Sequence, residues 1–97
     1  MRSEEYEVYV AQQCKDYVTP TYCAVALNED AGEVAGFWKK YHFRGNPNGK
    51  LFEIDLLYEL GDVLFYLTRM ANLHGWSVED VMDANKAKLD AKAKRHL

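Results

Sequence analysis

Asp30-x-x-Glu33 and Glu59-x-x-Asp62 are the residues of this chain whose type and spacing could do chemistry. Each pair sits in an otherwise apolar helical stretch. Between Leu56 and Leu67 the two acids are the only charged residues. A carboxylate in such surroundings costs several kcal/mol unless a positive group compensates it. Three-residue spacing puts both members of a pair on one helix face. Two such pairs facing each other would form an oxygen-only cage for a hard divalent cation.

The donor set narrows the metal. Four carboxylates without His or Cys select Mg²⁺, Mn²⁺ or Ca²⁺ and argue against zinc. A di-iron bundle would need Glu-x-x-His on two helices, and that motif does not occur. Mg²⁺ held by a few carboxylates keeps positions open for water and phosphate oxygens, so the set points to phosphoryl chemistry. Two plainer readings stand beside this one. The acids could lie on a solvated face, which suits Glu29 best, or pair with Lys or Arg from a neighbouring helix.

The elements that must position these acids are helical. A weaker helix is expected over roughly Ser3 to Asp16. Thr19-Pro20 reads as an N-cap followed by proline at the first helical position, opening a second helix towards Tyr41. Its apolar stripe is Leu27, Ala31, Val34, Trp38 and Tyr41, with Asp30 on the same stripe. Arg44 to Lys50 breaks the pattern with Gly, Pro and an Asn-Gly turn signal. A third helix from about Phe52 to His74 is apolar nearly all round and should be central, its acidic pair the more buried of the two. Gly75 fits a C-terminal cap, and Ser77-x-x-Asp80 reads as a capping box opening a fourth helix. That helix is expected to turn Val78, Val81, Met82 and Leu89 inward, and it ends in basic residues that suit the helix dipole. The expected fold is all-α, an antiparallel bundle of about four helices in a single domain spanning 1–97.

Composition bounds the rest. At 97 residues with 48% hydrophobic and 13% aromatic content, the chain carries more apolar material than a small monomer easily hides. A core completed by oligomerisation is therefore expected. A net charge of −3 excludes general attraction of nucleic acid. Cys14 and Cys23 show neither zinc-ligand nor disulfide-framework spacing. No apolar run reaches transmembrane length, and no signal-peptide core is visible, so no membrane partner and a cytoplasmic setting are expected.

Asn28 to Gly36, Lys39-Lys40, Glu59 to Leu67 and Asn85-x-x-Lys88-Leu89 together resemble the MazG-like nucleoside triphosphate pyrophosphohydrolases. The resemblance runs from roughly Ala24 to Lys92. It implies an all-α fold assembled as a homodimer or homotetramer. It also implies Mg²⁺-dependent cleavage of a (deoxy)nucleoside triphosphate between the α and β phosphates, with Mn²⁺ as a possible substitute. Carried over, the metal ligands fall on Asp30, Glu33, Glu59 and Asp62. The first of these positions is usually Glu, and Asp30 is one methylene shorter, so it could reach a metal through water. Glu29 matches a further family acid and could hold a second metal or orient water. Glu29 or Glu33 could thus serve as the catalytic base. Lys39, Lys40, Asn85 and Lys88 match positions that handle phosphate, and Trp38 could stack on a base. Competing readings are a non-enzymatic helical assembly module, or a hydrolase of the same fold acting on dUTP or phosphoribosyl-ATP.

Overall fold

The structure is a computed structural model that describes residues 1–44 and 50–95, the side chains of 43–44 and 50–52 excepted. It contains four helices among the described residues: α1 (Ser3–Gln13), α2 (Pro20–Arg44), α3 (Lys50–Leu73) and α4 (Val78–Arg95). The fold is all-α, as expected, and the boundaries follow local signals. Pro20 is the first residue of α2, and Thr19 Oγ1 accepts a 3.3 Å hydrogen bond from the Tyr22 amide. The turn signal at Gly45 to Gly49 lies outside the described residues.

The α3–α4 junction is built from two interlocking caps. Gly75 has φ +79°, a left-handed conformation that suits a residue without Cβ. The amides of Trp76 and Gly75 donate to the carbonyls of Ala71 (2.9 Å) and Asn72 (3.0 Å), closing the last turn of α3. Ser77 and Asp80 then cap α4 reciprocally: the Asp80 amide donates to Ser77 Oγ at 3.0 Å, and the Ser77 amide donates to Asp80 Oδ2 at 2.9 Å.

α2 and α3 make the main packing of the chain. Their cross-contacts run in opposite directions along the two helices: Tyr41 meets Asp55, Glu33 meets Glu59, and Tyr22 meets Tyr66. This order defines an antiparallel pair. α3 is central as expected, touching α1, α2 and α4. α1 runs antiparallel to α3, with Tyr6 near Leu64 at one end and Gln13 near Leu57 at the other. The Glu7 carboxylate ties the start of α4 down, accepting from the Val78 amide at 2.6 Å, and Ser3 donates to Glu79.

Three details differ from expectation. The buried face of α2 keeps most of the expected stripe, with Asp30 buried and Leu27, Val34 and Tyr41 half-buried, but it takes in Cys23 and leaves Ala31 and Trp38 (51%) exposed. On α4, Met82 and Leu89 are 61% and 53% exposed rather than inward, because the helix is held mainly by its first turn. Finally, the buried acid is Asp30, in the first pair, whereas Asp62 of the second is exposed. α3 is apolar on more faces than its neighbours cover, so Leu57, Leu60 and Leu64 also stay exposed.

Gly75→Ala should cost about 1 kcal/mol or more, since Ala must adopt a positive φ there. Urea unfolding followed by circular dichroism should show a lower midpoint with an unchanged slope.

Candidate metal centre

The antiparallel pairing of α2 and α3 sets the register of the acids. Asp30 and Glu33 lie one turn apart on α2, and Glu59 and Asp62 one turn apart on α3. Glu33 and Glu59 approach each other across the seam, close enough for Glu59 to raise the Glu33 carboxyl. Asp30 and Asp62 line one hollow of about 320 Å³ together with Phe65 and Tyr66. Carboxylate oxygens of Glu29, Asp30 and Glu33 lie within 4.8 Å of one another. Both acidic pairs therefore converge, and Glu29 joins them from an exposed position on the same helix.

The electrostatics of this cluster are one-sided. Burial, followed by the charges of Glu33, Asp62 and Glu29, pushes the Asp30 carboxyl above its ordinary range. Glu33 is also raised, first by the hydrogen bond with Glu59, then by desolvation and the charges of Glu59, Glu29 and Asp62. Among the described residues the charges acting on both groups are other carboxylates, with no lysine or arginine offsetting them. Glu59 Oε2 is enclosed without a hydrogen-bond partner. The salt bridge described, Lys86–Asp90, lies far off on the surface of α4. A cluster of oxygen ligands with an orphaned carboxylate oxygen and no cation fits a hard divalent metal.

Aromatic groups frame the acids. Burial, then Tyr22, then Asp30 push the Tyr66 hydroxyl up to about 12, so it stays protonated and able to donate at neutral pH. The Tyr22 and Tyr66 rings lie 6.0 Å apart. Tyr22 and Phe65 were not singled out by sequence. Their signal was spacing: Phe65 follows Asp62 by three residues, and Tyr22 precedes Asp30 by eight, so each shares a face with an acid.

The other expected site residues are less concentrated. Lys40 stands seven residues beyond Glu33, two turns along the same face and roughly 10 Å away. Its Nζ lies 5.8 Å from the Tyr41 ring centroid. Lys39 is turned about 100° away from it around the helix, and Trp38 is exposed. Asn85 and Lys88 are exposed on α4, and no described contact joins them to the acids.

The family model of the MazG nucleotide pyrophosphohydrolase domain matches residues 19–96, most of the chain. The match covers α2, α3 and α4, including every acid of the cluster, and leaves out α1. Neither a curated protein nor a solved structure matches the chain significantly.

The raised carboxyls make a pH prediction with a definite sign. A folded-state pKa above the unfolded one means that the folded chain binds more protons between the two values. Without metal, stability should therefore be fullest below the ordinary carboxylate range and fall as pH rises through the raised values of Asp30 and Glu33. Asp30→Asn should raise the melting temperature of the metal-free chain at neutral pH and change it little at about pH 3.5. Scanning calorimetry at the two pH values checks the sign; a lower neutral melting temperature for the variant would mean that Asp30 is compensated.

Proposed function

This chain belongs to the MazG nucleotide pyrophosphohydrolase family, and on that premise we propose that it hydrolyses (deoxy)nucleoside triphosphates at the α–β phosphate bond. The products are the nucleoside monophosphate and pyrophosphate. The observation that carries this reading is the cluster of Glu29, Asp30 and Glu33 on α2, faced by Glu59 and Asp62 of α3, with no compensating cation among the described residues. Anionic phosphate cannot approach such a cluster unaided, so the acids need a metal before they can serve a nucleotide.

Asp30, Glu33, Glu59 and Asp62 would hold Mg²⁺, or Mn²⁺ in its place. When bound, the cation supplies neutralisation of phosphate charge and acidification of water. Glu29 or Glu33, side by side on α2, would orient the attacking water and accept its proton. Water oxygen bonds to the α phosphorus, its proton passes to the carboxylate, and the α–β bridging P–O bond breaks, its electron pair leaving with pyrophosphate. No residue need become a covalent nucleophile. Tyr66, held protonated beside Asp30, supplies a neutral hydrogen-bond donor at the edge of the hollow. Lys40 is the better placed of the two α2 lysines to meet a phosphate extending along the helix.

Assembly belongs to the same proposal. α4 exposes Met82 and Leu89, the α3–α4 junction exposes Trp76, and α2 exposes Val25. A homodimer or homotetramer would cover these surfaces, and assembly is the route by which Asn85 and Lys88 could reach phosphates. No described helix is long and apolar enough to cross a membrane.

Incubation with a nucleotide panel and Mg²⁺ should yield monophosphate and pyrophosphate by anion-exchange chromatography. Diphosphate and orthophosphate would instead place cleavage at the β–γ bond. Asp62→Asn should lower kcat more than about 100-fold while leaving helicity unchanged. Calorimetry showing no Mg²⁺ or Mn²⁺ binding, with or without nucleotide, would favour a non-enzymatic assembly module.

A further inference from the structure

Among the described residues a cavity lies between α1 and α3, beside the acidic hollow and sharing Asp62 and Phe65 with it. Tyr6, Tyr9 and Gln13 line it from α1, and Tyr58, Gly61 and Asp62 from α3. Its volume is about 570 Å³, within the usual range for small-molecule sites. Asp62 and Phe65 belong to both cavities, so a molecule whose phosphates meet the acids could continue directly into this one.

We propose that this cavity is the nucleobase site, with Tyr9 and Tyr58 as stacking surfaces and Gln13 as the group that reads the base edge. The proposal rests on the nucleotide hydrolase reading and specifies how that substrate is selected. Three observations carry it. First, Asp62 is the one ionised side chain in the lining, and no lysine or arginine accompanies it. An anionic occupant is therefore disfavoured and a neutral one favoured. Second, the lining is aromatic and has accessible surface. The Tyr6 and Tyr9 rings form a wall, 6.4 Å apart and inclined by 28°. Tyr9 and Tyr58 are 47% and 67% exposed, leaving surface for a flat ring to cover. A Cβ built on Gly61 meets nothing within 4 Å, so the α3 wall is open at this point. Third, the Gln13 amide offers both a donor and an acceptor, the pair needed to recognise one edge of a base.

α1 lies ahead of residues 19–96, so Tyr6, Tyr9 and Gln13 fall outside the matched residues. Their spacings of three and four place them on one face of α1. The division of labour is then clear: α2 and α3 hold the phosphates, and α1 with α3 holds the base.

Steady-state kinetics on the full chain should compare nucleoside triphosphates with ribose 5-triphosphate, which lacks a base. The wild type should prefer the nucleotides. Tyr9→Ala should lower that preference roughly ten-fold or more, mainly through KM, while Tyr9→Phe retains it. Gln13→Ala should narrow the spread of kcat/KM among the bases. Equal losses on both substrates, or no loss, in Tyr9→Ala would overturn the assignment. So would a change of oligomeric mass by light scattering, which would give this face to a second copy. A wild type that cleaves both substrates equally well removes the base site but keeps the hydrolase reading; one that cleaves neither removes both.

Discussion

The constraint on which the structure depends is mutual repulsion among carboxylates along the α2–α3 seam. Five acids from two helices meet there, and the groups that act on Asp30 and Glu33 are other acids. In the absence of a cation the chain accommodates this in two ways. The Glu33 carboxyl is raised, first by its contact with Glu59, and the Asp30 carboxyl is raised, first by burial. Both are costs carried by the folded state, and a divalent cation would relieve both at once. The rest of the architecture keeps the seam in register. Tyr41 to Asp55 near one end and Tyr22 to Tyr66 near the other bracket the acids on antiparallel helices.

A second constraint is the thin packing around that seam. The radius of gyration is 16.2 Å, against about 13 Å for a compact domain of this length. Among the described residues the buried apolar set is small: Val10, Val18, Cys23 and Ala71. Thr68 is buried with them, its Oγ1 unpartnered. Many large apolar side chains remain at the surface, including Met82 and Leu89 on α4. One copy of the chain thus positions the acids but does not use up its hydrophobic surface, which is the physical reason for placing assembly alongside catalysis.

The cavity between α1 and α3 ties the segment outside the matched family domain to the site inside it. Asp62 occupies the hinge of that arrangement, exposed at the border between an acidic hollow and an aromatic one. Its exposure, unexpected for an acid on an apolar helix, follows from its position where α3 passes from one neighbour to the other.

What the sequence determined by itself was local. Thr19-Pro20, Gly75 and Ser77-x-x-Asp80 fixed helix ends because caps depend on residues within one turn of each other. The three-residue spacing of the acids placed each pair on one helix face for the same reason, and the missing His and Cys chose the class of metal. What only the tertiary structure decided was rotation and contact. The inward face of α2 carries Asp30, as its stripe implied, but leaves Ala31 and Trp38 exposed, because packing against α3 sets helix rotation, and the apolar residues of α2 lie on more than one face. Burial of Asp30 rather than Asp62, the approach of Glu33 to Glu59, and the meeting of Gln13 with Gly61 across a cavity all join residues distant along the chain. Such pairings are set by how helices pack, and no local pattern encodes them.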